Sequence, residues 1–390
     1  MSIEPVLLAV VAVSVSLYGT MIGAMLYAYT HPRRAELARC PRVTILKPIA
    51  GLDEDLAANL ESFAHLDYPS FEILIGVADA SDPALPALHA FVARHPELDV
   101  RILQTDEREA LNPKVAQLIG LERHARGEIL VVSDANVRVA PSYLMSLVAE
   151  LSQPGVGLVS SVVAGTGEKT FGAALENLQL CAMIAPGVIS SSVVADLSLT
   201  VGKSMAMWRR DLVRLGGFGS VGDVLAEDYV MGRRFRKQGY GVRVVLDPVE
   251  NRNVACSFGR TLERHTRWAK MRRAIMPGAF AIEVLLTPIA VALGAALLSP
   301  SRATIAALLG CVAMQICGAA LATRKVRGVP FRTSHLLLEP VRAVLLQVCW
   351  LRAALSRRVE WRGHPFIVGP DSRLISVQPT SARVFLTDRA

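Results

Sequence analysis

The sequence predicts an α/β domain built on a mostly parallel sheet, with one membrane helix before it and further membrane helices after it. Three observations carry this. Hydrophobic residues make up 52% of the 390 positions and mean hydropathy is +0.38, too apolar for a purely soluble chain of this length. Charged residues still reach 19%, too many for a bare helix bundle in lipid. Between about residue 40 and residue 275, short β-branched runs alternate with amphipathic stretches, and long uncharged runs lie on either side.

The first element, Val6 to Tyr29, is nearly uncharged and exceeds the roughly 20 residues a helix needs to cross a bilayer. A cleaved leader would want basic residues ahead of the apolar run, where this chain has Glu4; its basic flank, Arg33 and Arg34, comes afterwards. The positive-inside rule then puts residue 31 onward in the cytoplasm. Residues 1–31 read as an anchor and 40–275 as the α/β domain. Strands are expected at Val43–Leu46, Phe71–Val77, Val100–Leu103 and Ile129–Val132, and helices at Asp53–Ala64, Asp82–Arg94 and Pro113–His124. Such alternation makes a parallel sheet covered on both faces, with ligands at the carboxyl ends of its strands. No GxGxxG follows the first strand, which excludes the usual dinucleotide reading.

Two further apolar stretches, Ala279–Leu298 and Ala303–Ala322, are joined by a Ser-Pro-Ser-Arg turn and form a hairpin within 276–322. Residues 323–390 then read as a cytoplasmic loop, an interfacial or re-entrant segment at Leu336–Leu355, and a basic tail with Arg357, Arg358, Arg362 and Arg373. Glu339, Arg342 and Arg352 are costly at bilayer depth, and a crossing there would leave the basic tail outside. The net charge of +8 lies largely beside apolar segments, at Lys270, Arg272, Arg273, Arg324, Lys325 and Arg327 among others, and no nucleic-acid signature accompanies it. The six cysteines are scattered, without CxxC or zinc spacing, which suits a reducing compartment.

Four groups of residues can carry chemistry. Asp79 closes the second strand and can accept hydrogen bonds from a ribose or a base, whereas Asp82 before Pro83 is a helix cap. Asp134 and Asn136 close the fourth strand as a D-x-N pair. There a divalent cation, Mg or Mn, could neutralise a diphosphate, though an amide oxygen brings less charge than a second carboxylate and an ordinary turn is the alternative. Glu227 and Asp228 open a helix, as dipole-stabilising residues or with one of them as a general base. Arg264, Arg267 and Trp268 share a helix face; two guanidinium groups suit a pyrophosphate, and a basic flank with an aromatic anchor is the competing account. His265 is expected to point away from the two arginines.

In this order the residues resemble the ceramide glucosyltransferase family, glycosyltransferase family 21. The likeness begins at Leu46-Lys47-Pro48 and Gly51 and runs through Leu66-Asp67-Tyr68-Pro69, Asp79, Asp82-Pro83, Asn112-Pro113-Lys114 and Asp134. It continues through Ala226-Glu227-Asp228-Tyr229 and Arg264-x-x-Arg267-Trp268 to Trp361-Arg362-Gly363. The resemblance implies a GT-A-type domain, UDP-glucose as donor and an inverting transfer onto the primary hydroxyl of ceramide or a similar lipid. It implies that Asp79 and Lys114 contact the nucleotide, that Asp134 lies at the sugar diphosphate and metal, and that Asp228 is the base with Glu227 beside it. Arg264, Arg267 and Trp268 would close over the diphosphate. The expected setting is an integral membrane protein of a bacterial inner membrane, its catalytic domain cytoplasmic.

Where eukaryotic relatives carry His-Pro-Arg, this chain has Ala185-Pro186-Gly187, in a stretch (Leu180–Leu199) without basic residues. A hopanoid polyol receiving N-acetylglucosamine is therefore the competing acceptor. A non-catalytic nucleotide-sugar-binding membrane protein is the alternative from another class. A processive polysaccharide synthase would need more spans than this chain offers.

Overall fold

The computed structural model describes residues 2–32, 35, 37, 39–361 and 364–377. Arg33, Arg34, Arg362 and Gly363, which the sequence singles out, lie outside the described residues. Eight strands form one sheet: β1 (Val43–Pro48), β2 (Phe71–Val77), β3 (Val100–Gln104), β4 (Ile129–Ser133), β5 (Val137–Arg138), β6 (Val156–Thr166), β7 (Ser204–Trp208) and β8 (Gly241–Arg252). Their order is β3-β2-β1-β4-β7-β6-β8-β5. β3, β2, β1 and β4 run parallel to one another, as β6 and β8 do to each other, while β7 runs antiparallel to both β4 and β6, and β5 antiparallel to β8. The sheet is therefore mixed at its centre.

Alternation along each parallel strand decides which helix it meets. Val43, Ile45, Ile73, Ile75 and Val131 face one layer, with Leu60, Phe63, Leu88 and Phe91 from the helices Leu56–Ala64 and Leu85–Arg94. Leu46, Leu74, Leu130 and Val132 face the other, with Val115, Leu118 and Leu121 from the helix Pro113–His124. That helix starts where it does because Asn112 accepts hydrogen bonds from the backbone of Lys114 and Val115, and Pro113 presets the first turn. Strand order reverses between β1 and β4, so a crevice opens beyond their carboxyl ends.

The described residues hold three helices long and apolar enough to cross a membrane: Glu4–Thr30, Phe171–Val194 and Arg302–Arg327. The middle one, interrupted by a π turn at Leu180–Ile184, was not expected as a span. The stretch read as a single arm, Ala279–Leu298, is instead a pair of helices, Pro277–Leu286 and Pro288–Leu298, bent by 71°. Pro288 removes the donor that would continue the first helix. Gln347 Nε2 donates to the Val284 carbonyl at 3.2 Å and to the Thr287 hydroxyl, which satisfies the break.

The helix Glu339–Leu355 carries the ionisable residues that argued against a crossing; the structure pairs Glu339 and Arg342 internally and leaves Arg352 exposed. Arg342 Nε lies 2.6 Å from Glu339 Oε2, Gln315 Nε2 donates to Glu339 Oε1 at 2.8 Å, and Arg342 also reaches Gln179. Described residues of the basic tail build a small sheet. β9 (Arg358–Trp361), β10 (His364–Val368) and β11 (Leu374–Ser376) form an antiparallel sheet. The turn before β11 docks on the loop that precedes Glu227: Ser372 accepts from the Leu225 backbone through its carbonyl and from the Ala226 backbone through its hydroxyl.

Candidate active site

Lys114 ties together the carboxylates that the sequence left far apart. Its ammonium lies 2.9 Å from Asp134 Oδ1 and 2.9 Å from Glu227 Oε1, and it donates to the Gly202 carbonyl at 2.9 Å. Four segments supply these groups: the start of the helix Pro113–His124, the end of β4, the turn before β7, and the start of the helix Glu227–Lys237. Burial disfavours an ammonium here, but Asp134 and Glu227 outweigh it and raise the Lys114 pKa above its usual range. For Asp134, burial would raise the carboxyl, while Lys114 and Lys203 hold it well below the carboxylate range.

Asp228 stands beside this knot in a different electrostatic state. Its Oδ2 accepts from the Gly202 backbone at 2.6 Å and its Oδ1 from the Tyr229 backbone at 2.7 Å. Burial, together with the neighbouring Glu227 charge, pushes it up to about 6. A carboxylate poised so close to neutrality is suited to take a proton. Gly202 makes the approach possible: a Cβ there would lie 3.0 Å from Asp228 Oδ2 and 3.1 Å from Lys114 Nζ.

Two lysines without an expected role take part: Lys203, which no motif marked, and Lys47 of the Leu46-Lys47-Pro48 run. Lys203 reaches Asp134 Oδ2 at 3.0 Å and Asn136 Oδ1 at 2.7 Å. Lys47, fully buried in β1, donates to Ser133 Oγ at 3.3 Å and the Asp134 carbonyl at 3.1 Å, with its ammonium 3.9 Å from the centre of the Phe63 ring. Burial pushes its pKa down to about 7. Beyond Asn136 a small open cleft is lined by Asp53, Arg252, Asn253, Arg260 and Arg264. Burial raises the Asp53 carboxyl pKa.

The Arg-x-x-Arg-Trp stretch lies on the helix Phe258–Ile275 and borders this cleft through Arg264. Arg264 Nη1 is bonded to buried Glu176 at 2.9 Å and to Asn253 Oδ1 at 3.1 Å. His265, expected to turn away, faces the same carboxylate: its Nε2 lies 3.0 Å from Glu176 Oε2. Glu176, fully buried, thus gathers the Arg264 guanidinium and the His265 ring about one carboxylate. Trp268 packs edge-on against the His265 ring at 5.2 Å, and Arg267 is half-buried on the same helix. Asp79 stands apart, exposed at the end of β2, with its Oδ1 accepting from the Ser81 backbone at 2.8 Å. Asp82, expected as a helix cap, instead accepts from the Ala84 backbone through Oδ1 at 2.8 Å and from the Gly51 backbone through Oδ2 at 2.9 Å, while Ala84 stands at the cap of the helix Leu85–Arg94 without a side-chain bond.

The D-x-N pair is arranged for ammonium groups. Both carboxylate oxygens of Asp134 and the amide oxygen of Asn136 face lysines. Among the described residues no three His, Cys, Asp or Glu side chains cluster in a way that could hold a metal ion. As they stand, these donors do not fit a divalent cation.

An α/β sheet with acidic and basic groups gathered at the carboxyl ends of β1 and β4 is joined here to long apolar helices. The chain belongs to glycosyl transferase family 21, whose model matches residues 5–374. Among curated relatives, ceramide glucosyltransferase 3 of Caenorhabditis elegans is 27% identical over 256 residues, 65% of this chain and 56% of that protein. Ceramide glucosyltransferase of Komagataella phaffii is 35% identical over 115 residues, 28% of this chain and 23% of that one. The chain thus spans about half the length or less of these relatives. Among solved structures, a mannosyltransferase from Pyrobaculum calidifontis in complex with GDP-Man and Mn2+ aligns with a TM-score of 0.48 at 20% identity, covering 89% of this chain and 98% of that one. GalNAc-T7 with UDP, GalNAc and Mn2+ aligns with a TM-score of 0.42 at 14% identity, covering 62% of this chain and 52% of that one.

Proposed function

We propose that this protein transfers glucose from UDP-glucose, with inversion, to the primary hydroxyl of ceramide or a similar membrane lipid at the cytoplasmic face. The observation that carries this reading is the joining of Asp134, Glu227 and Lys114 in one knot, with Asp228 held beside it through Gly202. A carboxyl with its pKa near 6 takes the acceptor's proton as the lipid oxygen attacks the anomeric carbon. The bond from that carbon to the diphosphate breaks with its electron pair going to UDP. Positive side chains around the cleft, Arg264 among them, stabilise the charge that develops there. A single displacement needs no covalent intermediate, so one base suffices.

Asp79 suits the nucleoside end, because its exposed carboxylate at the tip of β2 is open to a ribose. Arg267 and Trp268 suit the lipid side of the diphosphate, since their helix leads directly into the apolar segments. A magnesium or manganese ion at Asp134 and Asn136 could enter only by displacing Lys203.

The acceptor is tested by incubating purified protein with radiolabelled UDP-glucose or UDP-N-acetylglucosamine and a panel of ceramide and hopanoid lipids. A glucosylated ceramide supports the reading. A product only with hopanoid polyol and N-acetylglucosamine would transfer it to the second acceptor class, and no product with any pair would favour a nucleotide-sugar-binding role.

A further inference from the structure

Lys203 enters the site through backbone register. β7 pairs antiparallel with β4, with Ser204 opposite Ser133, and the Asp134 N–H donates to the Lys203 carbonyl at 3.3 Å. The residue just before β7 is thereby fixed beside the first residue after β4. Its ammonium bridges Asp134 Oδ2 at 3.0 Å and Asn136 Oδ1 at 2.7 Å, the two atoms of the D-x-N pair that a divalent cation would ligate. The pair itself carries one negative charge where D-x-D would carry two, and one ammonium balances it.

The two lysines differ in what they have left to offer. An ammonium has three N–H donors. Those of Lys114 go to Asp134, Glu227 and the Gly202 carbonyl, and its side chain is 10% exposed. Lys203 uses two in the bonds described, and its side chain is 23% exposed. Its partner Asn136 lines the cleft, where Arg252, Arg260 and Arg264 add positive charge, and the Lys203 charge also acts on the Asp53 carboxyl there.

We propose that Lys203 is the diphosphate-binding group of this enzyme, standing where a divalent cation would stand, so that donor binding does not require a metal ion. This rests on reading the pocket as a nucleotide-sugar donor site. In the transfer, the lipid oxygen bonds to the anomeric carbon and the carbon–oxygen bond to the β-phosphate breaks with its electron pair going to the phosphate. The acceptor proton goes to Asp228, and Lys203 stays protonated against the new charge on UDP. The Asn at position 136 follows from the same arrangement: a neutral amide accepts from Lys203 and leaves its charge to be shared by Asp134 and the donor.

The experiment measures UDP binding to the full chain in detergent by titration calorimetry, with EDTA or with excess Mn2+. Wild type is expected to bind UDP in EDTA within about threefold of its affinity in Mn2+. Lys203→Met is expected to lose about tenfold or more in EDTA, the worth of a charge-assisted hydrogen bond, while Lys203→Arg stays within about threefold of wild type. Should Lys203→Met fail to fold, the wild-type and Lys203→Arg arms decide. Wild type that binds UDP only in Mn2+, or Lys203→Met that binds as well as wild type in EDTA, would overturn the role of Lys203 and leave the donor-site reading standing. A chain that binds no UDP under either condition would overturn both.

Discussion

Asp228 and Lys114 differ from ordinary acidic and basic residues through their surroundings, and those surroundings make the roles testable. Asp228→Asn keeps the hydrogen-bond shape but cannot take a proton, and kcat should fall by about 10²–10⁴-fold with donor affinity nearly unchanged. Because burial and Glu227 push Asp228 up to about 6, the active carboxylate prevails above that pH. The rate of the wild type should therefore be flat above about pH 7 and fall about tenfold per unit below 6, a profile that steady-state assays across pH would read directly. Gly202→Ala puts a methyl 3.0 Å from Asp228 Oδ2, so the carboxylate must shift by a few tenths of an ångström. The expected loss is about tenfold in kcat with thermal stability almost unaffected, and an unchanged kcat would show that the carboxylate has room to move. Asp134, Asp228 and Arg264 were legible in the sequence because acidic and basic residue types recur at strand and helix ends in a recognisable order. Lys203 was not: it lies 67 residues from Asn136, and only the β4–β7 register brings them together. Glu176 was hidden for a similar reason, inside an apolar helix where nothing marked its partners as Arg264 and His265.

Whole elements were legible where one physical signal dominated. The parallel strands β1 to β4 and the helix Pro113–His124 fall close to their expected limits, since β-branched runs and an Asn-Pro cap leave little choice. β6 and β8 were not among the expected strands although Pro154-Gly155 and Gly239 mark their starts, and the reversed direction of β7 belongs to tertiary assembly rather than to local pattern. The helix Glu339–Leu355 teaches the opposite lesson. Its Glu339 and Arg342 would be costly against lipid, yet both are buried, at 0% and 1% exposure, by bonding to each other and to Gln179 and Gln315. Arg342→Met alone strands Glu339 among apolar neighbours and should destabilise the protein by about 3–5 kcal/mol. Replacing both, Glu339→Leu with Arg342→Met, removes the unpaired charge and should cost less than the single change. Chemical unfolding in detergent, followed by tryptophan fluorescence, compares the two; a double variant weaker than the single would mean that Gln179 and Gln315 need the ion pair.

At the scale of the whole molecule, the ends of the apolar helices constrain how the chain can sit in a bilayer. Ser301, in the turn that opens the helix Arg302–Arg327, donates to Glu4 at the start of the N-terminal helix at 2.9 Å, so these two helix starts share one end of the bundle. The other ends lead to the α/β domain: Tyr29 donates to the Leu246 carbonyl of β8, and Arg327 pairs with Glu168 at 3.1 Å just beyond β6. The helix Glu339–Leu355 stays with this second group, since Arg273 of the helix Phe258–Ile275 donates to its Ala353 carbonyl at 2.7 Å. Basic residues collect at the domain end, with Arg324, Lys325 and Arg327 closing one helix and Arg272 and Arg273 closing another. Lipid bilayers hold such residues on the cytoplasmic side. Cysteines introduced one at a time at Ser2, Ser299 and Ser257 would then divide by side under a membrane-impermeant maleimide. Ser2→Cys and Ser299→Cys should label in intact cells, whereas Ser257→Cys at the cap of the Phe258–Ile275 helix should label only after the membrane is opened. Labelling of position 257 from outside would invert the protein and place the donor pocket away from the cytoplasmic supply of nucleotide sugars. Labelling of positions 2 and 299 from opposite sides would contradict the Glu4–Ser301 contact itself.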